Sequence, residues 1–198
     1  MMDEDEVPFT RLTPGLRIIC ILTIFLLVAS ALGETIMFLY SWFFDEAYSQ
    51  LVQGYISYYT VLEEYTIPTR GYVYLGTFLL DCLNQLPYYA AMFCAAFLFL
   101  NFYKGKVWWY GNVVLLRSVA ILLIVDGVSP YILSPLQILL FTFSQRPMIS
   151  IYVGFTSDAV RVFIIGFTLL VFCWVLAEAR YLFEENEYIL KKGSQRKT

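Results

Sequence analysis

Apolar residues along this chain fall in long unbroken blocks, not in the alternating or one-face pattern of a water-soluble domain. A helix needs about 20 mainly apolar residues to cross a hydrocarbon core of about 30 Å at about 1.5 Å per residue. Four segments meet that length: 18–43, 71–102, 108–143 and 160–183. The second and third are longer than a bilayer requires and are expected to tilt or bend. Pro87 in the second and Pro130 and Pro135 in the third are the residues placed to do it, with Pro135 alternatively a break that makes 136–143 a separate piece. The pattern predicts an all-α integral membrane protein with four transmembrane helices in one bundle.

The connections carry patterns of their own. Over 45–70, Leu51, Tyr55, Tyr58, Tyr59, Leu62 and Tyr65 recur at helical spacing before Pro68. They predict an aromatic loop helix between spans one and two, lying on the membrane interface or covering the bundle, where tyrosine is favoured. A recognition surface for a peptide or lipid is the other reading. In the connection after span three, Ile149, Ile151, Val153 and Phe155 alternate with polar or small residues, which suits a short extended segment. The organisation is therefore an N-terminal segment, 1–17, a membrane domain, 18–190, and a basic tail, 191–198.

Composition agrees. With 60% apolar and only 15% charged residues, the chain has too little polar surface to cover itself in water. Lysines and arginines favour cytoplasmic flanks. Arg11, Arg17, Lys104, Lys106, Arg180, Lys191, Lys192, Arg196 and Lys197 fall on one side of the four spans, and Arg70 and Arg146 on the other. The expected location is the cell membrane, with both termini and the 104–106 turn cytoplasmic and the two longer connections outside. The first apolar run is longer than a signal-peptide core and is read as a retained span. Cys20, Cys82, Cys94 and Cys173 are isolated within apolar stretches and read as packing residues.

Ionisable residues inside apolar spans cost several kcal/mol unless they face protein or water, so they are the first candidates for function. Counted from the cytoplasmic boundaries, Glu34 lies about 25 Å up span one, Asp81 about 33 Å up span two and Asp126 about 28 Å up span three. Asp158 and Arg161 open span four near the same level, and Asn84 follows Asp81 by one turn. These six residues are expected to form either a buried polar network tied by Arg161 or an outward-facing acidic pocket for a cationic ligand. Arg117, deeper toward the cytoplasm, is expected to need a clamp partner, with Glu178 the best-placed acid and Asn112 a neutral alternative. Glu184, Glu185 and Glu187 extend the last helix and offer an acidic face to a cytoplasmic protein partner.

Enzyme chemistry finds little support. There is no histidine, the commonest general base and metal ligand. No nucleophile elbow or phosphate-binding glycine loop is present, so no catalytic residue, metal or cofactor is expected. A net charge of −3 without a broad basic face argues against direct nucleic-acid binding.

Three stretches carry a family resemblance: Phe-Tyr-Lys-Gly-Lys at 102–106 followed by Asn-Val-Val-Leu-Leu-Arg at 112–117, the glycine-opened apolar run 166–176, and the acidic close Ala-Glu-Ala-Arg-Tyr-Leu-Phe-Glu-Glu-Asn-Glu-Tyr-Ile-Leu at 177–190. In these the chain resembles the prokaryotic membrane family called domain of unknown function 2975. The resemblance implies a small four-span protein, often encoded beside a short helix-turn-helix regulator. Two functions are thus in view. One is a non-enzymatic regulatory or accessory protein that binds such a partner at its cytoplasmic face. The other is a small transporter or immunity-type protein whose outer acidic pocket takes a cation or cationic peptide. Lipid is a partner in both, and homo-oligomers suit either.

Overall fold

The computed structural model describes residues 13–58, 62, 71–143 and 157–195. Every regular element among them is a helix: α1 (Pro14–Phe43), α2 (Asp45–Tyr58), α3 (Tyr72–Tyr103), α4 (Tyr110–Phe143) and α5 (Ser157–Gln195). Pro14 begins α1, where a missing N–H deprives no carbonyl of a partner. Phe44 is extended and stops α1, and its carbonyl accepts the first hydrogen bond of α2, from the Tyr48 N–H at 2.8 Å. Between α1 and α3 the described residues hold one helix, α2, which carries Leu51, Tyr55 and Tyr58 of the aromatic stripe. Leu62 is described beyond it, while Tyr59, Tyr65, Pro68 and the alternating stretch 149–156 lie outside the described residues.

Among the described residues four helices are long and apolar enough to cross a bilayer: α1, α3, α4 to Thr142, and α5 from Ser157 to Leu182. Most of their apolar surface faces outward, including Ile18, Phe25, Met37, Leu79 and Trp174, each more than half exposed. In water such a surface would drive aggregation; against acyl chains it is in its solvent. This is the architecture of a multi-pass membrane protein. Pro135 does not break α4, and neither Pro130 nor Pro87 ends its helix. The carbonyl that Pro130 leaves unbonded, that of Asp126, accepts instead from the Ser129 hydroxyl at 3.1 Å, a repair commonly seen at prolines in membrane helices.

Packing follows chain order: α1 lies on α3, α3 on α4 and α4 on α5, with α2 folded back on α1. The closest crossing joins α4 to α5 through glycines. A Cβ at Gly127 would stand 2.9 Å from the Ala159 carbonyl and the Phe163 N, and one at Gly166 would stand 2.9 Å from the Ile124 N. Without a hydrophobic driving force in lipid, such backbone proximity supplies the dispersion contact that holds helices together.

Two joints fix the ends. Where α1, α2 and α3 meet, Trp42 and Tyr48 are buried and their rings pack with Tyr74 at centroid separations of 5.2–5.5 Å. The Tyr74 hydroxyl donates to the Trp42 carbonyl at 2.5 Å, satisfying one of the orphan acceptors at the end of α1. Burial pushes the Tyr48 phenol up to about 12, with Tyr74 adding to the effect. At the opposite end, α3 closes in a Schellman motif. Lys106 N–H bonds the Asn101 carbonyl at 3.0 Å and Gly105 N–H the Phe102 carbonyl at 2.8 Å, with Gly105 at φ 78°. The amide of buried Asn112 then ties the turn down, donating to the Lys106 and Val107 carbonyls at 2.5 and 3.0 Å and accepting from Asn101 at 3.1 Å.

Candidate functional site: an acidic cleft roofed by α2

Because α1 and α4 both pack on α3 but not on each other, the strip of α3 between them stays uncovered. The result is a cleft of about 610 Å³, walled by α1, α3 and α4 and closed at one end by α2, a size that suits a small ligand. Glu34 and Asp81 both line it. Glu34 sits about 14 Å before the end of α1 and Asp81 about 14 Å after the start of α3, so the antiparallel helices bring them to one level.

Asp81 is held from both sides. Its Oδ2 accepts from the Tyr55 hydroxyl of α2, and its Oδ1 accepts from the side-chain amide of Gln137 on α4, which is only 5% exposed. Tyr55 is itself seated on Phe141, at 5.8 Å between ring centroids, over a core of Leu62, Val73 and Ile138. One carboxylate thereby joins the roof to two walls. Glu34 is more open; its Oε1 accepts from Ser30 one turn away and from Tyr88 of α3, both at 3.3 Å. The rest of the wall is aromatic and amide in character, with Phe38, Trp42, Tyr89 and Gln85. The buried Trp42 indole N–H is a further donor facing the Asp81 carboxylate. Among the described residues no lysine or arginine lines the cleft.

Asn84 also lines it, and its Oδ1 meets the Ser129 hydroxyl at 2.7 Å. Ser129 has one proton and two acceptors within reach. Turning the Asn84 amide by half a revolution lets its Nδ2 donate to Ser129 while Ser129 donates to the Asp126 carbonyl, which satisfies all three groups. Asp126 lies one step beyond this link, near the middle of α4 and outside the cleft wall.

The remaining residues singled out in the sequence are elsewhere. Arg161 pairs with Asp158 at 3.1 Å on the exposed first turn of α5. It forms no ion pair with Glu34, Asp81 or Asp126 among the described residues, and α5 packs on α4 but not on the helices that carry Glu34 and Asp81. Arg117 and Glu178 are both exposed, and no ion pair joins them among the described residues. Asn112, the neutral alternative for Arg117, is committed to the α3–α4 turn. Glu185 is exposed, while the side chains of Glu184 and Glu187 lie outside the described residues.

Reasoning from charged residues alone missed Gln137, Trp42 and Ser129. Gln137 had a legible signal: it is an amide inside the apolar run 131–143, where an unpartnered amide costs several kcal/mol. Comparison with protein-family models, with curated proteins and with solved structures gives no match.

Proposed function

We propose that the protein binds a small organic cation or amine in the cleft roofed by α2. The observation that carries this reading is the lining: two carboxylates, Glu34 and Asp81, among Phe38, Trp42, Tyr55 and Tyr89, with no basic residue among the described residues of the wall. An ammonium group between carboxylates and ring faces gains Coulomb attraction and cation–π energy, which grow as water is displaced. The test is titration of the purified protein in mild detergent with tetraethylammonium and with a fluorescent aromatic cation. Binding that weakens at least tenfold in Glu34→Gln and Asp81→Asn, but not in Asp158→Asn, is the expected result. Equal binding of a neutral molecule of the same shape would exclude a cation site.

A second reading, attachment of a cytoplasmic protein partner such as a helix-turn-helix regulator, draws on one observation. Helix α5 continues from the end of its apolar part at Leu182 to Gln195, roughly 20 Å further at the helical rise. Glu185 is exposed on that extension. Co-purification of a protein with the full chain, lost on deleting 183–198, tests it.

A further inference from the structure

The turn between α3 and α4 builds a second, separate cavity at the opposite end of the molecule from α2. It is a narrow slot of about 80 Å³ between that turn, α4 and α5, walled by Leu98, Phe102, Trp108, Leu116 and Leu176, with Arg180 also in its lining and no carboxylate there among the described residues. The Lys106 ammonium stands 5.9 Å from the ring centroid of Trp109, also in the wall, and the Arg180 guanidinium lies 5.1 Å over the Tyr110 ring. Two cations are thus held by ring faces beside one apolar opening. The floor is not a loose loop. The Schellman turn and the three hydrogen bonds of buried Asn112 fix it, and Gly111 lets the Trp109 indole fold against the helix, since a Cβ there would stand 2.3 Å from the ring.

We infer that this slot is a binding site for an anionic phospholipid, one acyl chain entering between Phe102, Leu116 and Leu176 and the phosphate lying between Lys106 and Arg180. Charge complementarity and shape both select that occupant. A volume this small takes a run of methylenes and not a folded ligand. Two cations at one end of the bundle, beside tryptophans that favour the headgroup level, attract an anionic headgroup over a zwitterionic one. The basic residues assign this end to the cytoplasmic leaflet, the side on which an anionic surface acts on juxtamembrane lysine and arginine. The site is independent of the cation cleft and stands or falls without it.

Native mass spectrometry of the full chain tests the site, with phosphatidylglycerol and phosphatidylcholine of identical chains added at equal concentration. Wild type should retain phosphatidylglycerol at least fivefold over phosphatidylcholine. Lys106→Gln should reduce that preference, and Lys106→Gln with Arg180→Gln should abolish it. Leu116→Trp, which fills the slot and leaves both charges, should lower retention of phosphatidylglycerol with little change in circular dichroism. If the Arg180 variant does not fold, Lys106→Gln and Leu116→Trp decide the question alone. Equal retention of the two lipids by wild type, or unchanged retention in Leu116→Trp, would overturn the site. So would loss of phosphatidylglycerol to low-millimolar glycerol phosphate, which carries the charge without the chain.

Discussion

At the scale of single residues, Asp81 organises the cleft because each of its oxygens answers a donor from a different helix. The arrangement makes a definite energetic prediction. Asp81→Leu leaves the amide of Gln137, almost fully buried, with no acceptor, and a stranded buried donor costs about 1–3 kcal/mol. Gln137→Leu on its own removes a donor from the carboxylate and should also destabilise. The two changes together replace donor and acceptor by apolar groups of similar size, so the double variant should be closer to wild type than the sum of the single losses. Thermal melting of the four proteins in one detergent measures the cycle; strictly additive shifts would mean that the pair is not energetically joined. The same logic explains what the sequence made visible here. Glu34 and Asp81 were legible because a carboxylate in an apolar run is expensive, and Gln137 carried a weaker form of the same signal, whereas the small hydroxyl of Ser129 can bond within its own helix and gives none until a neighbouring helix supplies its partner.

At the scale of elements, the contrast between glycines identifies which helix pairs are locked. Gly127 and Gly166 face backbone atoms across the α4–α5 crossing, and backbone cannot rotate aside as a side chain can. Gly127→Val or Gly166→Val should therefore force the helices apart and cost about 1–3 kcal/mol or more by overpacking. Gly33 in the middle of α1 has nothing within 4 Å. Gly33→Ala should be neutral or should stabilise by up to about 1 kcal/mol through helix propensity. Melting temperatures that fall equally for Gly33→Ala and Gly166→Val would show that helix propensity and lipid exposure, not the crossing, set the effect. The helices themselves were legible from hydropathy alone, since length and composition decide what can span a bilayer. Their neighbours were not. Span four is as apolar as span one, and nothing in either pattern states that α5 stays on α4 and leaves the α1–α3–α4 cleft unfilled. Of the two readings open at Pro135, a continuous span or a break, α4 takes the first and continues through it, because in lipid the penalty for exposing several backbone groups exceeds that for losing one hydrogen bond.

At the scale of the whole molecule, function depends on which side of the membrane the α2 roof faces. The helices are nearly symmetric in length and leave the direction undetermined; only the flanking charges distinguish the ends. Arg17, Lys104, Lys106 and Arg180 lie at the end away from α2, and basic residues near span ends are retained on the cytoplasmic side. Helix α2 itself carries only acidic and neutral residues, among them Glu46, and at the same end Arg161 is matched by Asp158. The cleft is accordingly expected to open toward the exterior, and the basic slot to meet the inner leaflet. Single cysteines at Gln50 or Gln53, both exposed on α2, should react with a membrane-impermeant maleimide added to intact cells. A cysteine in place of exposed Lys104 should react only after the cells are opened. The four native cysteines lie within α1, α3 and α5 and must first be replaced by alanine, which suits their role as small packing residues. Labelling of the Lys104 site from outside, with protection of both α2 sites, would invert the molecule. A cation would then reach the cleft from the cytoplasm, and the helix extending to Gln195 would lie outside the cell, beyond reach of any cytoplasmic regulator. The same three cysteines thus decide orientation and, with it, which of the two proposed functions the cell can use.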